Sequence, residues 1–460
     1  MKGSIVGAAL LAVAVLASPG LGGVRPDRVQ VDVSKLRGTQ SETTIAVDPS
    51  NPSVLLAGSN NARSLHVAGY SSTDGGATWT GAHVPVPAGS DLTGDPIAAI
   101  DRAGRQYFGY ISVLQTSRTA RFELYVPSRA GPTAPWSLPS QPVESVPGTF
   151  DDKPAIAVDD SATSPHVNRV YVAWSRVVIS AGTGVGAIYL AHSDDAGATW
   201  SSPVAVSDRL RSFDSYPTID VARDGTVYIG FWNALGRGVY LDTSHDGGDT
   251  FGPDVLVDPI RGNSNCSPTG ISIAAQPVNC VRPNPIVSVD NSAGPFAGRV
   301  YVTYGDTGVR GREQDVFVAA FDPALRLLLR RHQVNPRDGA VRSDQFWPAS
   351  GADPSTGFLW TCFYDTRGDR LRRRAWYSCS RSLDGGVKWA VPVHAASVPS
   401  NERARGADSI HGRFKREYGD YEGLAVAPGI AHPVWTDTRR LRTLREEVYT
   451  TTLSDASFRR

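Results

Sequence analysis

Short runs of apolar and β-branched residues alternate with polar turns along almost the whole chain, and one such run recurs seven times. In each copy a polar or aromatic residue, usually followed by proline, precedes four mostly apolar residues that often end in aspartate. The copies lie about 63 residues apart on average and begin at Thr43, Pro96, Pro154, Pro217, Pro285, Pro348 and Glu422. Such a period indicates one supersecondary unit that is repeated seven times.

Further strands follow the start of each unit. The second strand is rich in β-branched and aromatic residues, as in residues 170–174 (VYVAW) and 227–232 (VYIGFW), and a third and a fourth strand close the unit. Four short strands per unit, with no convincing helical stripe, are typical of a β-propeller blade. The sequence therefore predicts an all-β fold, a seven-bladed β-propeller of four-stranded antiparallel blades.

The two ends of the chain complement each other in this scheme. The seventh unit ends after a third strand at residues 448–452, whereas residues 28–36 (RVQVDVSKL) alternate as a strand before the first unit. We predict that the N-terminal segment supplies the missing strand and closes the ring, which would leave no unpaired sheet edge.

The composition agrees with a single turn-rich domain. A chain of 460 residues would ordinarily suggest about three domains, but seven repeated units account for nearly all of its length. The 46 Gly and 32 Pro residues fit the many turns that these units require. The net charge of +1 provides no general attraction to nucleic acid or to an anionic membrane.

The first residues have the features of an export signal. Lys2 precedes an apolar stretch at residues 5–17, and Ser18, Pro19 and Gly20 follow it. The stretch is shorter than the roughly 20 residues that a membrane-spanning helix needs. We expect a signal peptide at residues 1–23, a mature propeller domain at residues 24–460 and a secreted protein without a membrane span.

The four cysteines fall into two close pairs, Cys266 with Cys280 and Cys362 with Cys379. In an exported chain this spacing favours two local disulfides over the other two connectivities, and it resembles no zinc site. We expect a structural role for both bridges.

A finer motif, S-x-D-x-G-x-T-W, occurs between the third and fourth strands of four units. The copies are STDGGATW (72–79), SDDAGATW (193–200), SHDGGDTF (244–251) and SLDGGVKW (382–389). The serine and aspartate oxygens can accept hydrogen bonds from the turn, glycine permits a positive φ and the aromatic ring packs beneath. We therefore assign a structural role to Asp74, Asp195, Asp246 and Asp384.

These motifs are Asp boxes, and on them the chain resembles the sialidase-like Asp-box (BNR-repeat) β-propeller family over nearly its whole mature length. The resemblance implies a propeller fold, with six blades as the alternative count because the catalytic sialidases have six. It also implies a glycan ligand, which some members of the family cleave, others only bind, and some do neither.

The resemblance extends to residues 417–424 (EYGDYEGL), which look like the strand start that carries the nucleophilic tyrosine of sialidases. It implies Tyr421 as nucleophile and Glu422 or Asp420 as the base that activates it. An acidic residue such as Asp95 or Asp152, at the start of another unit, would then be the general acid.

Arginine-rich loops follow the second strands of the last units. A planar guanidinium suits a carboxylate or sulfate, so Arg282, Arg367 and Arg439 are candidates for an anion clamp. The substrate-binding set also includes Asp344, Trp347, Asp365 and Asp437. In an alternative interpretation, Asp365 and Asp437 form salt bridges with their own arginines and stiffen the loops.

Two hypotheses remain from the sequence. In the first, the channel mouth binds and hydrolyses a glycan or another acidic extracellular ligand. In the second, the same face is a non-catalytic binding or scaffolding surface for a protein or polysaccharide. No P-loop, GxSxG, HExxH or EF-hand pattern is present, so we expect no cofactor, with structural calcium as an option.

Overall fold

The computed structural model describes residues 29–115, 120–143, 146, 148–180, 183–208, 213–235, 237–261, 270–308, 313–336, 342–404, 418–440 and 446–458. The expected signal peptide lies outside these residues, as do Cys266 and Glu417.

The described strands form seven antiparallel sheets, which are the blades of a propeller. The first strand is β1 (Gln30–Asp32). Blade one contains β2 (Gln40–Val47), β3 (Leu55–Asn61), β4 (Ala68–Ser72) and β5 (Thr80–Ala82). Blade two contains β6 (Leu92–Ile100), β7 (Gln106–Gln115), β8 (Ala120–Tyr125) and β9 (Ser128–Arg129). Blade three contains β10 (Thr149–Val158), β11 (Val170–Ser180), β12 (Thr183–Ser193) and β13 (Val204–Ala205).

The remaining blades follow in chain order. Blade four contains β14 (Asp214–Val221), β15 (Val227–Asn233), β16 (Gly238–Ser244) and β17 (Val255–Pro259). Blade five contains β18 (Ile286–Val289), β19 (Val300–Thr307), β20 (Gln314–Phe321) and β21 (Leu327–Gln333). Blade six contains β22 (Gln345–Ala352), β23 (Leu359–Asp365), β24 (Trp376–Ser382) and β25 (Val393–His394). Blade seven contains β26 (Gly423–Ala427), β27 (Ile430–Asp437), β28 (Glu447–Thr451) and the short β29 (Leu453–Ser454), before a 3-10 turn at Asp455–Phe458.

The ends of the chain close the ring, as the sequence predicts. Blade seven has the strand order β1-β28-β27-β26, so the N-terminal strand forms its outer edge. Gln30 pairs with Thr451, and the Ser34 hydroxyl donates a hydrogen bond of 2.5 Å to Glu447. The seven-blade prediction is confirmed, and six blades are excluded.

The apolar core lies between neighbouring blades. Leu56 of blade one and Phe108 of blade two belong to one buried cluster, and equivalent clusters follow around the ring. The last of them joins Val434 and Val448 of blade seven to Ile45 and Leu55 of blade one. Because each blade buries its faces against two others, the closed ring leaves no terminal blade with an uncovered apolar face.

The repeated S-x-D-x-G turns have the hydrogen bonds expected from their sequence. Asp74 accepts bonds from Ser72 (2.8 Å) and from the amide and hydroxyl of Thr78 (2.9 and 2.6 Å), and the Gly76 amide donates to Ser72. The bonds from Thr78 lower the pKa of Asp74. Asp195 and Asp246 accept equivalent bonds, and Asp384 accepts bonds from Ser382 and the Lys388 amide.

Both cysteines of one predicted disulfide lie among the described residues, and the bridge between them is present. Cys362 on β23 lies directly opposite Cys379 on β24, with their Cα atoms 4.0 Å apart, and the two are bridged. Cys280 is also disulfide-bonded. No helix in the described part of the chain is long and apolar enough to cross a bilayer.

Candidate functional site

Near the start of the innermost strand of each blade, one residue immediately precedes the repeated apolar run. In six blades this residue has a positive φ of 42–57° although it is not glycine: Glu42, Asp95, Lys153, Tyr216, Asn284 and Trp347. The strand pairing shifts register at this point in β2, β6, β10, β14 and β22. Such bulges re-aim side chains and are common beside active sites. The seventh equivalent position is Tyr421.

Lys153, in blade three, links its own blade to three others. Its ammonium lies 2.9 Å from Asp420 Oδ2, 3.4 Å from Asp95 Oδ1 and 3.5 Å from Glu42 Oε1. Only 13% of the Lys153 side chain is exposed. A buried ammonium is stable when carboxylates compensate its charge, so the strand starts of blades one, two and three are tied to blade seven through one cation.

Asp420 is the most heavily hydrogen-bonded carboxylate of this group. Besides Lys153, it accepts bonds from the Tyr216 hydroxyl at 2.8 Å and from Asn279 Nδ2 at 2.7 Å, and Arg282 Nη1 lies 3.5 Å away. Burial alone would raise its pKa, but the charges of Lys153 and Arg282 outweigh burial, and the net pKa is lowered. Asp420 is therefore ionised at neutral pH.

A close backbone approach positions Glu42 beside Asp420. Gly419 has a φ of +92°, and a Cβ added to it would lie 2.5 Å from Glu42 Cγ. The absence of a side chain at this position lets the Asp420 amide donate to Glu42 Oε1 at 3.1 Å. Asn60 completes the contact by donating to Glu42 Oε2 at 2.7 Å. Burial raises the pKa of Glu42 well above its usual value.

Asp95 and Asp152 are interacting carboxyl groups whose pKa values are shifted in opposite directions. Burial and the neighbouring Asp95 charge raise the pKa of Asp152 to about 7. Burial would also raise the pKa of Asp95, but Lys153 outweighs it and the net pKa is lowered. The pair therefore shares one proton at mildly acidic to neutral pH, with Asp152 as the protonated member.

These groups form the floor of a pocket of about 390 Å³ at one end of the channel, which we call the mouth pocket. Its walls include the partly exposed rings of Phe122 and Phe150, whose centroids lie 4.3 Å apart in an edge-to-face arrangement. Lys153 also lines a chamber of about 380 Å³ inside the channel, so its side chain separates the two spaces.

Tyr421 lines the channel chamber. Its hydroxyl is buried and makes no hydrogen bond to the described residues. Burial, followed by the charges of Asp95 and Glu42, raises its pKa well above the usual value. A nucleophilic tyrosine needs a base to take its proton, and no carboxylate in the described residues accepts a hydrogen bond from this hydroxyl.

Glu422 lies away from this cluster, in the contact between blades one, six and seven. Its carboxylate accepts hydrogen bonds from Thr43 at 2.5 Å, from the Tyr364 hydroxyl and from the Thr436 amide at 3.1 Å. Burial raises its pKa to about 7. The three donors belong to neighbouring blades, so the Glu422 carboxyl group holds these blades together and has a structural role.

The three candidate clamp arginines contact different carboxylates. Arg282 is beside Asp420, whereas Arg367 pairs with Asp365 at 3.5 Å and Arg439 pairs with Asp437 at 2.7 Å. Arg439 also donates to Gln30, on the outermost strand of blade seven. For the last two arginines, the structure agrees with the alternative of salt bridges to their own aspartates.

Asp344 and Trp347, the other two predicted binding residues, form hydrogen bonds within the protein. Asp344 accepts bonds from the Gln314 amide at 3.1 Å and from Arg372 at 3.2 Å. Trp347 is fully buried and donates to Gln276 at 3.0 Å.

Sequence reasoning left Lys153 and Glu42 out of the catalytic and binding set. Their position in the repeat was the sequence feature that could have identified them. Lys153 directly precedes Pro154, just as Asp95 directly precedes Pro96 in the second unit. Aligning the seven repeats assigns Glu42 and Lys153 to the same position in their units as Asp95, although it does not show which of these side chains meet. Among the described residues, no three His, Cys, Asp or Glu side chains form a group that could hold a metal ion.

No family model matches this chain. A xyloglucanase of Hypocrea jecorina (strain QM6a) is 27% identical over 232 residues, which cover 45% of this chain and 25% of that protein. The matched region thus spans about a quarter of the relative's length.

Solved structures with a related architecture include the microbial sialidase Hz136, which is 15% identical, with 89% of this chain and 76% of that one covered and a TM-score of 0.49. They also include the α-L-arabinofuranosidase of Fusarium graminearum with arabinobiose, at 12% identity, with 94% and 98% covered and a TM-score of 0.48. The propeller assignment itself rests on the seven sheets of this chain.

Proposed function

We propose that this protein is a secreted glycan-acting propeller that hydrolyses a glycosidic bond in the mouth pocket, with Asp152 as general acid and Asp95 as its partner carboxylate. The observation that carries the proposal is that Asp95 and Asp152, whose pKa values are shifted in opposite directions, both line a pocket with aromatic walls. Glycoside hydrolases typically use two carboxyl groups of opposite protonation state.

The proposed reaction needs no further group. Protonated Asp152 donates its proton to the glycosidic oxygen as the bond from this oxygen to the anomeric carbon breaks. The positive charge that develops on the sugar is stabilised by the ionised carboxylates of Asp95 and Asp420. Water then adds to the anomeric carbon and gives one proton to the carboxyl pair, which restores the starting state.

Lys153 has a supporting role in this scheme. Its charge keeps Asp95 and Asp420 ionised, while burial and the charge of Asp95 raise the pKa of Asp152, which keeps its proton. Divided pKa values in neighbouring carboxyl groups are the usual basis for separate acid and base roles.

The glycan assignment draws further support from the similarity to a xyloglucanase and from the Asp-box turns. The expectation of secretion rests on residues 1–20 of the sequence, which have the pattern of an export signal.

The test is a comparison of reducing-sugar release from a panel of polysaccharides and aryl glycosides. We expect activity in the wild type and a loss of at least about 100-fold in Asp152→Asn, because general acid catalysis contributes that much. Asp249→Asn is the matched control, since Asp249 is 62% exposed and lies in a blade-four turn. A wild type inactive on the whole panel would reject the enzyme and favour a binding propeller.

The Tyr421→Phe variant separates this mechanism from the sialidase type. Loss of activity in Tyr421→Phe together with an active Asp152→Asn would assign the reaction to the tyrosine. Loss in Asp152→Asn with an active Tyr421→Phe supports the carboxyl pair.

A further inference from the structure

We propose that the mouth pocket takes an uncharged sugar unit and discriminates against sugars that carry a carboxylate or sulfate. This inference rests on the proposed function as a glycan-acting protein. It reverses the acidic character of the ligand expected from the arginine-rich loops.

The first argument is the charge of the pocket. In the described part of the chain, the ionisable lining residues are one basic residue, Lys153, and four acidic ones, Glu42, Asp95, Asp152 and Asp420. The single ammonium already has three of these carboxyl groups within 3.5 Å. Among the described lining residues, an incoming anion would therefore meet a neutral or negative floor and no cation with spare charge.

The floor of the pocket still carries no net positive charge when two of its four carboxyl groups are protonated. With Glu42 and Asp152 protonated, Asp95 and Asp420 remain ionised. They balance the charges of Lys153 and the adjacent Arg282. A ligand carboxylate placed next to these two would be a third negative charge, and the cost of its desolvation would not be offset by a new ion pair.

The second argument concerns the arginines that could have held an acid. The Arg439 guanidinium donates two bonds to Asp437, of 2.9 and 2.7 Å, and a third to Gln30 of 2.7 Å. Arg282 is directed to Tyr216 and Asp420. Binding a ligand carboxylate through either residue would require breaking a contact that the fold already uses.

The third argument is the composition of the walls. Phe122 and Phe150 offer an apolar surface, to which Ile111 and Val113 add aliphatic area. Such walls suit the C–H faces of a sugar ring. Asn61 lies in the same lining and provides an amide group for sugar hydroxyls. A volume of about 390 Å³ is at the small end of ligand pockets, which suits a short glycan end.

The experiment is isothermal titration calorimetry on the folded chain with pairs of oligosaccharides that differ by one acidic group. Suitable pairs are lactose with sialyllactose, and xylo-oligosaccharides with and without a glucuronic acid branch. We expect at least one neutral member to bind and its acidic partner to bind at least tenfold more weakly. Higher salt should narrow this difference, because screening weakens the repulsion.

A pair of variants checks the location. Phe150→Ala should weaken the neutral glycan about tenfold, whereas Asp249→Asn should not change its binding; thermal unfolding of both confirms that they are folded. An acidic member that binds as tightly as its neutral partner overturns the inference, as does a failure of every neutral glycan to bind. Binding of neutral glycans without turnover leaves the inference standing and rejects the proposed hydrolysis.

Discussion

The ammonium of Lys153 lies 2.9 Å from Asp420 Oδ2, although the two residues belong to the third and the seventh blade. The contact crosses the channel and brings together strand starts that are distant in sequence. It therefore links the charge balance of the candidate site to the integrity of the ring.

Replacement of Lys153 by methionine should destabilise the protein by about 3–5 kcal/mol at neutral pH, because it leaves buried carboxylates without their cation. The deficit should shrink at acidic pH, since the pKa values of Asp95 and Asp420 rise in the variant and both groups then fold in protonated form. Urea unfolding at pH 5 and pH 8 measures both effects. Arg326→Met is the control and should change the unfolding free energy little, because the Arg326 side chain is 82% exposed. An equally small change in Lys153→Met would contradict the prediction.

The pH dependence of catalysis should follow Asp152. Because burial and Asp95 raise its pKa to about 7, kcat/KM should fall about tenfold per pH unit above that value as the acid loses its proton. In Lys153→Met the charge on Asp95 is no longer compensated, so the dependence of kcat/KM on pH should differ from that of the wild type. A rate that continues to rise to pH 9 in the wild type would exclude Asp152 as the general acid.

Glu422 should make stability depend on pH. Burial raises its pKa in the folded state to about 7, above the unfolded value near 4.3. The folded chain thus keeps a proton that the unfolded chain has released, so this contribution is full below about pH 4 and is lost as the pH rises through 7. The slope is at most about 1.4 kcal/mol per pH unit. The unfolding free energy of Glu422→Gln, measured between pH 5 and pH 8, should fall less steeply than that of the wild type; parallel curves would be evidence against this role.

The Cys362–Cys379 bridge should stabilise the protein by about 3 kcal/mol, the usual effect of closing a loop of this size, since 17 positions separate the two cysteines. The double variant Cys362→Ala/Cys379→Ala should show this loss in urea unfolding under oxidising conditions. Wild type and double variant that unfold at the same urea concentration would show that strand pairing alone holds β23 and β24.

Removal of residues 25–37 should abolish cooperative unfolding, because β28 would lose its outer partner and Glu447 would lose Ser34. Thermal unfolding followed by calorimetry tests this expectation. Removal of residues 459–460, which lie outside the described strands, serves as the control. Unchanged cooperative unfolding of the N-terminal deletion would show that ring closure does not depend on β1.

Local sequence patterns determined the fold. The seven apolar runs, the prolines such as Pro96 and Pro154 and the S-x-D-x-G turns act over a few residues, so their structure is readable without tertiary information. Ring closure was also predictable, because the seventh unit visibly lacked a strand that the N-terminus could supply.

Tertiary structure alone decided which polar side chains meet. Asp95, Lys153 and Asp420 come from three blades, and only the closed ring turns their bulged strand starts toward one axis. The sequence could not show that Glu422, one position after Tyr421, would be used between blades, or that Arg439 would pair with Asp437. Charge compensation depends on distances across the ring, and the period of the repeat fixes the strands but not those distances.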